Sequence, residues 1–186
     1  MRNSTLLGLR LTLGGYLAVH GAQKLFGSLD GPGLEKTGVA FDRLGLKPGK
    51  AFAALAGGSE LGGGALTMAG AAHPLGPLAV AGAMSVASLT HAEKGPMLQK
   101  GGFELPVSNL AAALVLLGVG PGRYSLDRLF GFQLPKAVTR LAIVTATALT
   151  AYSAVQVVKT KRTASSAESA PAASVSTEGD RTQESA

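Results

Sequence analysis

The stretch AFAALAGGSELGGGALTMAGAA, Ala51 to Ala72, contains a single ionisable residue, Glu60. A helix that spans a bilayer needs about 20 apolar residues, so this stretch is long enough. At 1.5 Å of rise per residue, Glu60 lies roughly 15 Å from the charged edge at Lys50, near mid-depth. A carboxyl at that depth costs several kcal/mol unless it is neutral, paired or facing a polar cavity. Glu60 is therefore the first candidate for function. The plainer alternative is a protonated carboxyl that bridges two helices as packing glue.

The pattern extends along the chain. The 186 residues include 46% hydrophobic and only 15% charged residues, against about 25% charged in an average soluble domain. The charges are also clustered: 32 residues without formal charge separate Glu60 from Glu93, 18 separate Glu104 from Arg123, and 18 separate Arg140 from Lys159. Such runs read as membrane spans. There is no Cys, which excludes thiol–disulfide chemistry and thiolate-held iron–sulfur clusters. The net charge of +6 comes from residues flanking apolar runs, where Lys and Arg set topology and meet anionic lipid. With 5% aromatics, a base-stacking platform for nucleic acid is not expected.

These runs predict an all-α integral membrane protein. Its elements are a four-helix transmembrane bundle, a fifth C-terminal transmembrane helix and a disordered tail. The helices are expected over Leu6–Phe26, Ala51–Ala72, Gly76–Ala92, Pro106–Val119 and Ala137–Val158, with a short interfacial helix near Leu34–Leu44. His73-Pro74-Leu75-Gly76-Pro77 divides the longest run into a hairpin, because two prolines this close stop a helix. The bundle occupies 1–130, the extra helix 131–159 and the tail 160–186, where Ser, Thr, Ala, Glu and Gln dominate and too little apolar area exists to offset ordering entropy. The N-terminus reads as a retained span, since Arg10 interrupts any signal-like apolar core. Nine Lys and Arg flank the spans on one side, against four on the other. This predicts an outside N-terminus and a cytoplasmic tail in a multi-pass protein of a bacterial plasma membrane.

Antiparallel helices bring distant polar residues to one end of such a bundle. His20 and Lys24 are four apart, on one face. His91, Glu93 and Lys94 close the third helix at the same end, and Gly101, Gly102 and Glu104 open the fourth. A polar funnel from there to Glu60 would hold the parts of a proton-coupled redox site or an anion pathway. The plainer readings are water-satisfied interfacial histidines and snorkelling lysines. Gly58 and Gly62 flank Glu60 as a small-xxx-small pair. They either admit a neighbouring backbone or leave room for a flat ligand. At the opposite end, Arg10 and Asp127 are expected to form a structural ion pair. No spacing calls for a metal.

The ordered pieces Arg10; His20-Gly21-x-x-Lys24; Glu60-x-Gly62-Gly63; His91-x-x-Lys94-Gly95; Gly101-Gly102-x-Glu104; and Gly120-Pro121-Gly122-x-x-Ser125-x-Asp127 resemble the DoxX family of small bacterial membrane proteins, over Leu6 to Phe130. The resemblance implies a four-helix membrane core, to which the fifth helix and tail are additions. It also implies a redox association: relatives include the small-subunit type of thiosulfate:quinone oxidoreductase. Other members look like anchors for a thiosulfate sulfurtransferase and a superoxide dismutase.

Three functions stay open at this point. In the first, the chain is a quinone-linked oxidoreductase subunit. Glu60, His20 and His91 move protons, while Lys24, Lys94, Glu104, Gly62 and Gly63 hold substrate, a small sulfur anion such as thiosulfate. In the second, it is a non-catalytic anchor recruiting those two enzymes. In the third, it is a proton-coupled transporter of a small solute. No covalently bound cofactor is expected. Quinone is the expected mobile partner, and membrane lipid and a second copy of the chain are the expected contacts, the latter through the glycine-rich helix.

Overall fold

Seven helices and two 3₁₀ turns make up the regular structure of residues 2–168, the part of the chain described by this computed structural model. In chain order the helices are α1 (Arg2–Phe26), α2 (Gly33–Arg43), α3 (Gly49–Ala69), α4 (Leu75–His91), α5 (Glu104–Val119), α6 (Leu126–Phe130) and α7 (Lys136–Glu168). The turns, Ala92–Lys94 and Leu98–Lys100, join α4 to α5. No strand occurs among the described residues. The five apolar runs and the short helix after the first all form as helices, with ends shifted by a few residues. The short α6 was not expected. Helix α7 continues through Glu168, past Thr160, where the disordered tail was expected to begin; the rest of that tail lies outside the described residues.

Two segments, Leu75–Lys94 and Lys136–Ser166, are both long and apolar enough to cross a membrane, and Glu104–Val119 is apolar but shorter. The expected set of five spans thus meets this measure in two members. Arg10 and Lys24 lower the apolarity of α1, and six glycines lower that of α3.

Helices α1 and α3 run antiparallel and form the most extensive pairing in the fold. Glycine permits it. A Cβ on Gly14 would lie 2.6 Å from the Met68 nitrogen, and one on Gly64 would lie 2.6 Å from the Gly14 carbonyl oxygen. Both distances are too short for any side chain, so the two backbones touch directly. Beside this seam, Leu13 and Leu17 of α1, Val80, Ala81 and Met84 of α4, and Ala113 and Leu116 of α5 form the apolar core. Helix α2 lies across α3, and α7 packs mainly on α4. Because α7 stands off α3, a gap remains between them.

Candidate functional site

Lys24, near the end of α1, reaches Glu60 at the middle of α3 and forms an ion pair with its Oε2. Glu60 is only 4% exposed. The antiparallel register of α1 and α3 dictates this meeting: Gly21, one turn before Lys24, is seated against Gly57 and Leu61. An ammonium has three donors and a carboxylate about four acceptor sites. Among the described residues, Glu60 is the one side-chain acceptor for Lys24 Nζ, and Oε1 of Glu60 accepts no bond. The pair therefore retains hydrogen-bonding capacity.

That capacity faces a cleft. A cavity of about 860 Å³ lies between α2, α3, α4 and α7, with Lys24 and Glu60 in its wall. Its lining runs from Phe52 to Leu66 on α3, from Leu75 to His91 on α4 and from Ala142 to Ser153 on α7. The lining is mostly apolar, as ligand clefts generally are, with a few convergent polar groups. Phe52 and Tyr152 stack at a centroid separation of 6.1 Å and an interplanar angle of 14°, joining α3 to α7 at one end.

The glycines of α3 divide by face. Gly57 packs against Leu25 of α1, Gly63 against Ala79 and Gly76 of α4, and Gly64 against α1. Gly58 and Gly62 meet nothing within 4 Å and line the cleft. The small-xxx-small pair flanking Glu60 therefore admits no neighbouring backbone; it widens the cavity. Close helix approach comes from the glycines on the other faces.

The second polar centre lies at the opposite end of α1. Arg10, 3% exposed, donates from Nε to Thr67 O at 3.0 Å, from Nη2 to Met68 O at 3.1 Å, from Nη1 to Tyr124 O at 2.8 Å, and also to Pro121 O. The guanidinium thus ties the last turn of α3 to the loop before α6, which suits a cation at a helix C-terminus. Asp127 does not pair with it. Its Oδ1 and Oδ2 instead accept from the backbone N–H groups of Ala72 and His73 at 2.7 and 2.8 Å. The expected Arg10–Asp127 ion pair is replaced by two clamps on one turn, because backbone groups there lie nearer to each side chain. Gly70 is required twice over: its φ is +65°, and a Cβ would lie 2.6 Å from Arg10 Cζ. Burial pushes the His73 imidazole below its ordinary value, and the Asp127 carboxylate partly opposes this. The cavity beside this centre is only about 10 Å³, about the size of one water.

The remaining expected site residues are dispersed. The His20 ring sits edge-on to Tyr16 at 4.4 Å and close enough to Lys24 and Glu60 to feel both charges. His91 lines the far end of the cleft, where its Nδ1 lies 2.6 Å from the Gly101 carbonyl oxygen. Lys94 is exposed. Glu104 accepts from the Leu98 N–H at 3.1 Å and so fastens the α4–α5 loop, while Glu93 pairs with Lys161 at 3.2 Å. The expected funnel therefore divides into a mid-helix pair with His20 beside it and a loop whose charges serve the loop. The α7 wall was missed, although Ala142, Thr145, Ala146, Leu149 and Ser153 recur at helical spacing, which puts them on one face of the helix.

Residues 5–92 match the DoxX family model. No curated protein and no solved structure matches the chain. The matched region holds α1 to α4, and with them Arg10, the Lys24–Glu60 pair and three of the four walls of the cleft. On this match residues 5–92 form a DoxX-family region, and that family is one of membrane proteins.

Proposed function

We propose that the protein is a quinone-binding membrane subunit of a redox assembly, with the Lys24–Glu60 pair as its polar site. The observation that carries this is an ion pair between part-buried Lys24 and buried Glu60, with unused donors and acceptors, in the wall of an 860 Å³ apolar cleft. A quinone suits such a site: its ring and tail are apolar, and its two carbonyl oxygens accept hydrogen bonds. When bound, quinone supplies the acceptor for two electrons and two protons. Lys24 donates a hydrogen bond to a ligand carbonyl, and Glu60 accepts one from a ligand hydroxyl. Together they hold a proton that can move between them and the ligand. His20, one helical turn from Lys24, passes protons onward in this reading.

The chain has no Cys, so the electrons come from a redox partner, with a reduced sulfur anion such as thiosulfate as the ultimate donor in this reading. Lys24 is neutralised by Glu60, so the anion is handled on the partner rather than in the cleft. Helices α1, α3, α4, α5 and α7 cross the plasma membrane. The α1–α3 and α4–α5 connections and the C-terminus face the cytoplasm, in keeping with the nine-to-four bias of Lys and Arg.

Protein purified from native membranes in mild detergent should carry about one extractable quinone per chain, counted by mass spectrometry. Glu60→Gln should lose it while eluting unchanged in size-exclusion chromatography. Wild-type protein that holds no quinone and takes up none when it is added would contradict the reading.

A further inference from the structure

The cleft is longer than a headgroup needs. Its lining covers the whole of α4, from Leu75 to His91, which is about 26 Å at helical rise. A hydrocarbon core is about 30 Å thick, so the cleft follows most of that depth. Glu60 lies roughly midway along the α3 wall, eight residues from Phe52 and six from Leu66. On one side of it, the rings of Phe52 and of Phe41 of α2 line the space, and Tyr152, outside the lining, stacks on Phe52. On the other, Leu66, Leu75, Leu78 and Ala142 line it with aliphatic groups, Thr145 adds one hydroxyl, and no ring is present.

We propose that the cleft selects a neutral head on a long apolar chain, with the head between the Lys24–Glu60 pair and the Phe52–Tyr152 stack and the chain along Leu66, Leu75 and Ala142. The class is an isoprenoid-tailed quinone rather than a short-chain one, and the proposal rests on the quinone reading of this site. Two observations support it. The pair sums to zero formal charge, and apart from His91, whose Nδ1 is engaged with the Gly101 carbonyl oxygen, the lining has no other ionisable side chain to offset a phosphate or carboxylate head, which would stay uncompensated in an apolar space. The two sides of the pair also differ, since the rings of Phe41 and Phe52 lie on one side only, which suits a flat head there and a flexible chain opposite.

Helix α7 begins beyond residues 5–92, the part that matches the family model. Ala142 and Leu149 thus line the cleft from outside the matched region, and Ala142 lies on the chain side of the pair. Gly62 is the position that tests chain selection. A Cβ there meets nothing within 4 Å, so Gly62→Leu fills the aliphatic side without disturbing a helix contact.

The test is equilibrium displacement of a tritiated long-chain quinone from the full-length protein in nanodiscs. The competitors share one benzoquinone head and carry no isoprene unit, two or ten. Concentrations are expressed per lipid, so that membrane partitioning drops out. The ten-unit compound should bind at least about tenfold tighter than the tailless one. Gly62→Leu should weaken the ten-unit compound by about tenfold and the tailless one by less than about threefold. Equal binding of all three competitors overturns chain selection and leaves the quinone site standing. No saturable binding of any overturns the quinone reading itself.

Discussion

The two ends of α1 carry one cation each, Arg10 buried and Lys24 part-buried, and the two have opposite surroundings. Arg10 gives its donors to four backbone carbonyls and borders a space the size of one water. Lys24 gives one bond to Glu60 and borders an 860 Å³ cleft. A buried charge whose bonds all go to its own fold is a fastener. A buried pair with unused bonds facing open space is placed to take a ligand. Depth in the sequence pattern does not distinguish them; the count of satisfied donors does.

The largest expected effect breaks the fastener. Arg10→Ala should lower stability by about 3–5 kcal/mol, since it leaves four carbonyls without their buried donor. Thermal size-exclusion profiles would show it, and an unchanged profile would refute the fastener role. Glu60→Gln sharpens the contrast from the other side. It keeps a hydrogen-bonding partner for Lys24, so the loss of stability should stay under about 1.5 kcal/mol. Quinone-linked turnover should fall by about 100-fold or more, the scale of a lost proton-transfer group. Turnover at the wild-type rate in a folded Glu60→Gln protein would remove Glu60 from the chemistry.

Asp127→Asn should cost about 1–2 kcal/mol, because an amide can accept from Ala72 or His73 but not from both with a charge. Quinone affinity should not move. The smallest effect is titration of His73. Its folded-state value is lowered below the ordinary 6.5 by burial, so the unfolded chain binds the proton first as pH falls. The stability contribution is full above about pH 6.5. It declines as pH drops from there through the lower folded value. A melting series from pH 8 to 5 should show this decline, and His73→Gln should flatten it without altering binding in the cleft.

How much of this was legible in the sequence depended on the range of the interaction. Helices were legible, because charge-free runs and the His73-Pro74-Leu75-Gly76-Pro77 break act locally. Glu60 stood out because a lone carboxyl in a 22-residue apolar stretch has no local partner. Its pairing with Lys24 depends on the register of α1 against α3, which the glycine faces set and residue spacing alone does not. Gly58 and Gly62 show the limit: the small-xxx-small spacing was present, yet α1 and α4 pack on other faces of the same helix. Arg10 and Asp127 were placed at the right end with the wrong partner, because competing backbone groups are invisible in a list of charges. The α7 wall lay outside view because its polar residues, Thr145, Thr150 and Ser153, face the cleft only once α7 packs on α4.

Photolabelling tests the central contrast most directly. Full-length protein in nanodiscs would be irradiated with an azido-quinone, digested and mapped by mass spectrometry. The account predicts saturable labelling on α3 near Gly58 to Gly62 and on α7 near Tyr152, suppressed by excess unlabelled quinone, with none around Arg10. Labelling concentrated at the Arg10 end, or spread without saturation over lipid-facing residues, would contradict it.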